Sequence, residues 1–351
     1  MTRKEKLLAT NEFDEIFREF SEDVGSLWAS PQVPRLTEEP TPMVFLREHV
    51  SRSVPCIIPY HGPGVGLTLD KLEQMVKESE NDVDDDIVLS VDVTPDGFGD
   101  CVRPVIVNAD HSNESLFETI DMFVKPEQRK MTITEFRTKL REWRGREING
   151  ENVILPYAQR EFPLLKSFEK EMISLTRDCK DCSVFYYSKQ NDCLRTELKK
   201  VFDLNLFPDS IPFAEEAFGE HCFLEAVNIW IGDERAISSM HKDHYENLFI
   251  VLSGEKVFTI CPPSDAIFLP EEDFPAASFR FVPPNKGWLV EEDHQVSKEL
   301  KSDETVKWIK YDILNVERNN QRYPYTHLTH PIEVKVKEGE MIYLPSLWLH
   351  R

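Results

Sequence analysis

Two imidazoles and one carboxylate stand out in this chain: His241 and Asp243 in Ser239-Met240-His241-Lys242-Asp243, and His350 closing Leu344-Pro345-Ser346-Leu347-Trp348-Leu349-His350. Two histidines and one carboxylate on one face of an octahedron leave three adjacent positions for a bidentate co-substrate and dioxygen. That set suits mononuclear Fe(II) and oxidative chemistry better than structural metal binding. On a single strand, the spacing of two puts His241 and Asp243 on the same face. A lone His-x-Asp is common in any sequence, so its surroundings must carry the reading.

Those surroundings are strand-like. Leu248-Phe249-Ile250-Val251-Leu252 is an apolar run, Ser253-Gly254-Glu255 a turn, and Lys256-Val257-Phe258-Thr259-Ile260 reads as the antiparallel partner of the first run. Lys256 is a charge at the start of an apparently buried strand. Buried, its ammonium needs an anion, and the distal carboxylate of a dicarboxylic co-substrate would supply one. Placed beside the turn, the same side chain would point to water, and spacing alone leaves both readings open.

Together the runs His241-Lys242-Asp243-His244-Tyr245-Glu246-Asn247-Leu248, Ser253-Gly254-Glu255-Lys256 and Pro262-Pro263-Ser264-Asp265 resemble the small JmjC-domain hydroxylases of the cupin superfamily. Among these, the resemblance is to the lysyl hydroxylases of developmentally regulated GTP-binding proteins. Val93-Thr94-Pro95-Asp96-Gly97, Ala226 to Gly232 and Gly339 to Pro345 extend it over most of the chain.

The resemblance implies a mainly β fold with helical additions, a double-stranded β-helix of the jelly-roll, JmjC type. It makes His241, Asp243 and His350 the Fe(II) ligands, with 2-oxoglutarate and O2 as co-substrates. Lys256 would pair with the C5 carboxylate of 2-oxoglutarate, and the hydroxyls of Ser238 and Tyr186 would also bind it. Serine stands at position 238 where the family usually has threonine, and the donor is kept. Asn228, expected on the strand before the ligand strand, either faces the pocket or lies on an exposed strand face. The implied reaction is hydroxylation of a lysine in a GTP-binding protein. N-methyl-lysine demethylation uses the same triad, and a catalytically silent scaffold is the alternative from another class.

The sequence stops at Arg351, one residue after His350, whereas the resembled family continues through a further core strand and a helical region. The expectation is therefore a β-helix lacking its last core strand, with unpaired ladder groups beside the site and a loosely held His350.

Length and composition agree with one large domain. At 351 residues and 40% hydrophobic content, the chain can bury a sizeable core. Residues 1–54 read as an N-terminal helix and a Pro-rich linker, and 55–351 as the JmjC/cupin-like domain, with surface excursions near 104–121 and 145–182. In the first helix Asn11 reads as the cap. Phe13, Ile16, Phe17, Phe20 and Val24 form a stripe to be covered by the core or by a second copy in a homodimer. The polar stretch from Glu291 to Asn320 reads as a long loop across the barrel mouth.

A net charge of −22 argues against nucleic-acid binding through the phosphate backbone and fits a lysine-bearing protein partner. No run of eighteen apolar residues predicts a membrane span, and the basic start leads into no apolar leader core. Seven cysteines, an odd number, point to reduced thiols in the cytoplasm or the nucleus. Cys179-Lys180-Asp181-Cys182 has metal-like spacing but no second ligand pair to complete a zinc site.

Overall fold

A computed structural model of the chain describes residues 3–27, 32–79, 87–108, 117–148, 162–163, 183–219, 222–282, 287–292, 305–311, 313 and 323–351. The first eight strands are β1 (Cys56–Pro59), β2 (Val88–Thr94), β3 (Cys101–Asn108), β4 (Phe117–Lys125), β5 (Glu127–Thr132), β6 (Phe162–Pro163), β7 (Val184–Tyr186) and β8 (His241–Lys242). The rest are β9 (Asn247–Val251), β10 (Glu255–Cys261), β11 (Glu271–Val282), β12 (Gly287–Glu292), β13 (Thr305–Ile309), β14 (Ile332–Lys337), β15 (Glu340–Leu344) and β16 (Leu349–His350). The helices are α1 (Arg3–Leu27), α2 (Pro42–Phe45), α3 (Leu69–Ser79), α4 (Ile133–Ile148), α5 (Lys199–Phe202) and α6 (Pro212–Phe218).

The site is carried by two sheets, β1-β15-β9 and β14-β10-β16-β8. Between them lies an apolar layer of Ile57, Val251, Phe258, Ile260, Val334, Val336, Ile342, Leu344 and Trp348. Period-2 alternation in the Ile332–Lys337 strand buries Val334 and Val336 and leaves Glu333, Lys335 and Lys337 outside. Successive strands switch sheets. β9 and β10 do not pair with each other as the sequence predicts: β9 pairs with β15, while β10 pairs with β14 and β16. Gly254 (φ +81°) and Gly339 (φ +77°) turn the chain across the gap, and the Glu338 N–H to Gly254 O bond (2.9 Å) ties the two crossings together. Strands that alternate between facing sheets are what the mainly β, jelly-roll expectation requires, although the described strands do not close into a barrel.

His350 is not frayed. Its strand β16 lies between β10 and β8, opposite Ile260 on one side and His241 on the other. Thr259 and Arg351 exchange N–H to O bonds of 2.9 and 3.1 Å. These ladder bonds hold the imidazole from both sides.

The remaining strands form a six-stranded sheet, β12-β11-β4-β3-β6 with β13 on β11, and a three-stranded sheet, β5-β2-β7. Two expectations are overturned here. Strands β3 and β4 pair from Cys101 to Asn108 and put Val105, Val107, Met122 and Val124 into the core, so this part of 104–121 is no surface excursion. Within 291–320, the Gly287–Glu292 and Thr305–Ile309 strands both pair with β11. In β13 Thr305 and Lys307 face outward, while 293–304 and 314–322 lie outside the described residues. Cys179, Cys182 and most of 145–182 lie outside the described residues.

Helix α1 begins at Arg3, so Asn11 is interior to it. The helix docks through Phe17 against Phe268 and Tyr325 (6.0 and 4.6 Å between ring centroids) and through buried Val24. Ser21 Oγ donates to Leu328 O (2.9 Å) and meets His330 Nε2 at 3.4 Å, and His330 leans on buried Asp265 at 2.9 Å. One face of the expected stripe is thus spent on the chain's own core, while Phe13 and Ile16 stay exposed.

The Val93-Thr94-Pro95-Asp96-Gly97 motif is a turn around a buried ion pair. Asp96 and Arg103 have 0% side-chain exposure and form two contacts, and Arg103 lies over the Phe98 and Phe279 rings. Gly97 (φ +85°) admits no side chain, since a Cβ would meet Arg235 O at 1.9 Å. Asp96→Ala would leave the buried Arg103 guanidinium without its carboxylate, so a loss of about 3–5 kcal/mol is expected. Thermal or urea unfolding measures it, and a melting curve unchanged from wild type would refute this role.

Candidate metal centre

Register and pleat together build the site. Trp348 and His350 share one face of the closing segment while Leu349 turns to the opposite cluster with Met240 and Cys261. His241 is the register partner of His350, with ring centroids 4.2 Å apart. Asp243 follows one residue beyond the strand, and its Oδ2 stands 3.7 Å from His350 Nε2. One ligand atom from each of the three residues falls within 4.8 Å of the others. Bonds of about 2.1 Å to one ion would need only modest closure of such a set.

Both imidazoles are oriented from behind. His241 Nδ1 lies 2.8 Å from Ser239 O and His350 Nδ1 lies 3.0 Å from Trp348 O. A carbonyl can only accept, so each Nδ1 carries the hydrogen and each Nε2 keeps its lone pair for the shared space. Burial first, and then the neighbouring His241, pushes the His350 imidazole down to about 4. It is therefore neutral at neutral pH, and its contact with Asp243 is a juxtaposition of donors rather than an ion pair.

Lys256, Phe258 and Ile260 alternate onto the same face of β10, and Ile260 is opposite His350. Lys256 thus faces the space between the sheets, not the water beside the turn. Its Nζ is 3.4 Å from Tyr186 Oη and lies over the Tyr186 and Phe258 rings. Among the described residues no carboxylate pairs with it. Burial lowers its pKa, and its charge is felt at His350. Burial raises the Tyr186 phenol, with a hydrogen bond from Ser238 acting against that shift. Lys256, Tyr186 and Ser238 are therefore contiguous.

Asn228 has a different setting from the one expected. Residues 222–230 are not in a strand, and Asn228 Oδ1 accepts the Cys193 N–H at 3.0 Å.

Two flanking residues escaped sequence reading. Trp308 lies parallel to His241 (8°, 6.0 Å) and its Nε1 donates to Ser239 Oγ at 2.9 Å. That hydroxyl in turn donates to Asp100 O at 2.5 Å. The Ser239 carbonyl that orients His241 is thus held by a three-part contact. The signal was present in the alternation of Thr305-Val306-Lys307-Trp308-Ile309, hidden by its polar neighbourhood.

The cupin-like domain model matches residues 42–351. The chain belongs to the cupin-like JmjC family. JmjC domain-containing protein E of Dictyostelium discoideum is 30% identical over 348 residues, covering 97% of this chain and 84% of that protein. A human protein named bifunctional peptidase and (3S)-lysyl hydroxylase JMJD7 is 31% identical over 340 residues, 95% and 84% of the two chains. The Arabidopsis thaliana protein named lysine-specific demethylase JMJ32 is 30% identical over 347 residues, 97% and 81%. In this JmjC chain the metal-type donor set and Lys256 are carried by neighbouring strands of one sheet, whereas the Val93–Gly97 motif belongs to the scaffold.

Proposed function

We propose that the chain is an Fe(II)- and 2-oxoglutarate-dependent protein hydroxylase that acts on a lysine side chain, with a GTP-binding protein as its substrate. One observation carries the reading: three metal-type donors converge near a half-buried ammonium that, among the described residues, has no carboxylate partner. A buried charge without a partner is costly, and a dicarboxylate bridging metal and lysine would satisfy both ends.

In this reading His241, Asp243 and His350 hold the iron by Nε2, a carboxylate oxygen and Nε2. Bound there, Fe(II) with 2-oxoglutarate and O2 would supply the oxidant for an unactivated C–H bond, one oxygen atom going to the substrate and the other to the succinate formed as carbon dioxide leaves. Lys256 receives the distal carboxylate, with the Tyr186 and Ser238 hydroxyls completing its hydrogen bonds. Trp308 and Ser239 keep the His241 ring in place. Asp243, with a side chain 41% exposed, opens the centre toward an approaching residue, and the −22 net charge favours a cationic one. The free cysteines Cys56, Cys101, Cys193, Cys222 and Cys261 suit the cytoplasm or nucleus.

Incubation with Fe(II), 2-oxoglutarate and basic GTP-binding proteins, followed by peptide mass spectrometry, tests this. A lysine gaining one oxygen atom is expected. Loss of a methyl group from an N-methyl-lysine would instead support the activity named for the Arabidopsis relative, and the absence of any modified lysine would contradict both.

A further inference from the structure

The triad contains one ligand that the sheets do not fix. Asp243 lies past the end of the two-residue β8, itself the edge of its sheet. Its backbone is fastened instead by the Leu347 N–H, which donates to Asp243 O at 2.8 Å. To do so Leu347 adopts φ +67°, a left-handed conformation that a side chain with a Cβ disfavours. The Leu347 residue is 41% exposed, so packing does not explain the conformation, whereas the bond to Asp243 does.

Three residues on, the same loop is held a second time. Glu246 Oε2 accepts the Tyr343 hydroxyl at 2.6 Å and the Ser346 N–H at 3.3 Å. Tyr343 is fully buried and packs its ring on Phe45 at 4.8 Å. The loop from Asp243 to Glu246 is therefore pinned at both ends to the Tyr343–Leu347 segment, and that segment leads directly into His350.

We propose that Glu246 and the left-handed Leu347 form a clamp that sets the separation of Asp243 from His350, and hence the affinity of the metal centre. Both are positioning residues. The proposal rests on the reading of the triad as a metal centre. Groups that orient ligands from outside the coordination sphere affect metal affinity, so Glu246→Ala is expected to weaken binding about tenfold or more.

The test is anaerobic titration of the full chain with Co(II), read by its visible ligand-field band, beside thermal melting of the metal-free protein. Glu246→Ala should bind more weakly and shift the band. Glu246→Gln keeps an oxygen acceptor and should stay near wild type. Leu347→Gly adopts positive φ freely and should bind like wild type, whereas Leu347→Pro lacks the N–H, is confined to negative φ and should lose affinity. Where Glu246→Ala melts too low to titrate, Tyr343→Phe removes only the donor and must shift binding in the same direction. Wild-type affinity in Glu246→Ala, or in its Tyr343→Phe substitute, overturns the clamp. Absence of Co(II) binding by wild type removes the metal reading and the clamp with it, and loss on Asp243→Ala marks the triad as the site being read.

Discussion

Asp243→Ala is expected to abolish turnover and to weaken Fe(II) binding by about a hundredfold or more, the upper end of what even outer-shell changes cost. The residue supplies the only carboxylate of the donor set. Without it two imidazoles remain, and a hard divalent iron loses its one anionic ligand. The loss should come with little change in folding stability, because the Asp243 side chain is 41% exposed and its backbone bond to Leu347 does not need the carboxylate. Metal titration, succinate release and a melting curve separate these effects. Appreciable turnover in the variant would mean that the oxidant is generated elsewhere.

Lys256→Met should leave the metal site intact and weaken 2-oxoglutarate binding by about a hundredfold, the range expected when one member of a buried, hydrogen-bonded charge pair is removed. Methionine fills the space against Tyr186 and Phe258 without the ammonium. The pH dependence has a definite sign. Burial lowers the Lys256 pKa, so the free folded protein releases this proton before the unfolded chain does. Stability consequently rises with pH between the folded pKa and the ordinary value near about 10.4. Affinity for the dicarboxylate moves the opposite way and falls as pH rises through the same window, because the anion needs the ammonium. Binding isotherms of wild type and Lys256→Met over alkaline pH check both statements, and a pH-independent affinity in wild type would remove Lys256 from the co-substrate site.

The convergence of His241, Asp243 and His350 was legible in part: the Leu344–His350 run brings the second imidazole to a buried strand, but Asp243 lies beyond β8, so the pleat that suggested the His-x-Asp pair does not place it. The charge of Lys256 among apolar neighbours was equally plain. What failed were pairings. The runs at 248–252 and 256–260 look like a hairpin, yet in a jelly roll adjacent apolar strands go to facing sheets. A glycine turn serves either outcome, and single-strand periodicity carries no information about which partner a strand takes. Trp308 was missed for a related reason. Among the described residues its strand pairs with β11 and turns Thr305 and Lys307 outward, a short alternation set in a polar stretch of sequence. Glu246 and Leu347 act through one carboxylate oxygen and one backbone N–H, contacts that depend on how distant segments meet.

Anaerobic titration of the purified chain with Fe(II) and 2-oxoglutarate tests the central claim most directly. A weak visible charge-transfer band that saturates at one equivalent of each, absent from Asp243→Ala and displaced to far higher 2-oxoglutarate in Lys256→Met, is the predicted result. A wild-type spectrum that stays blank while the protein remains folded would contradict it.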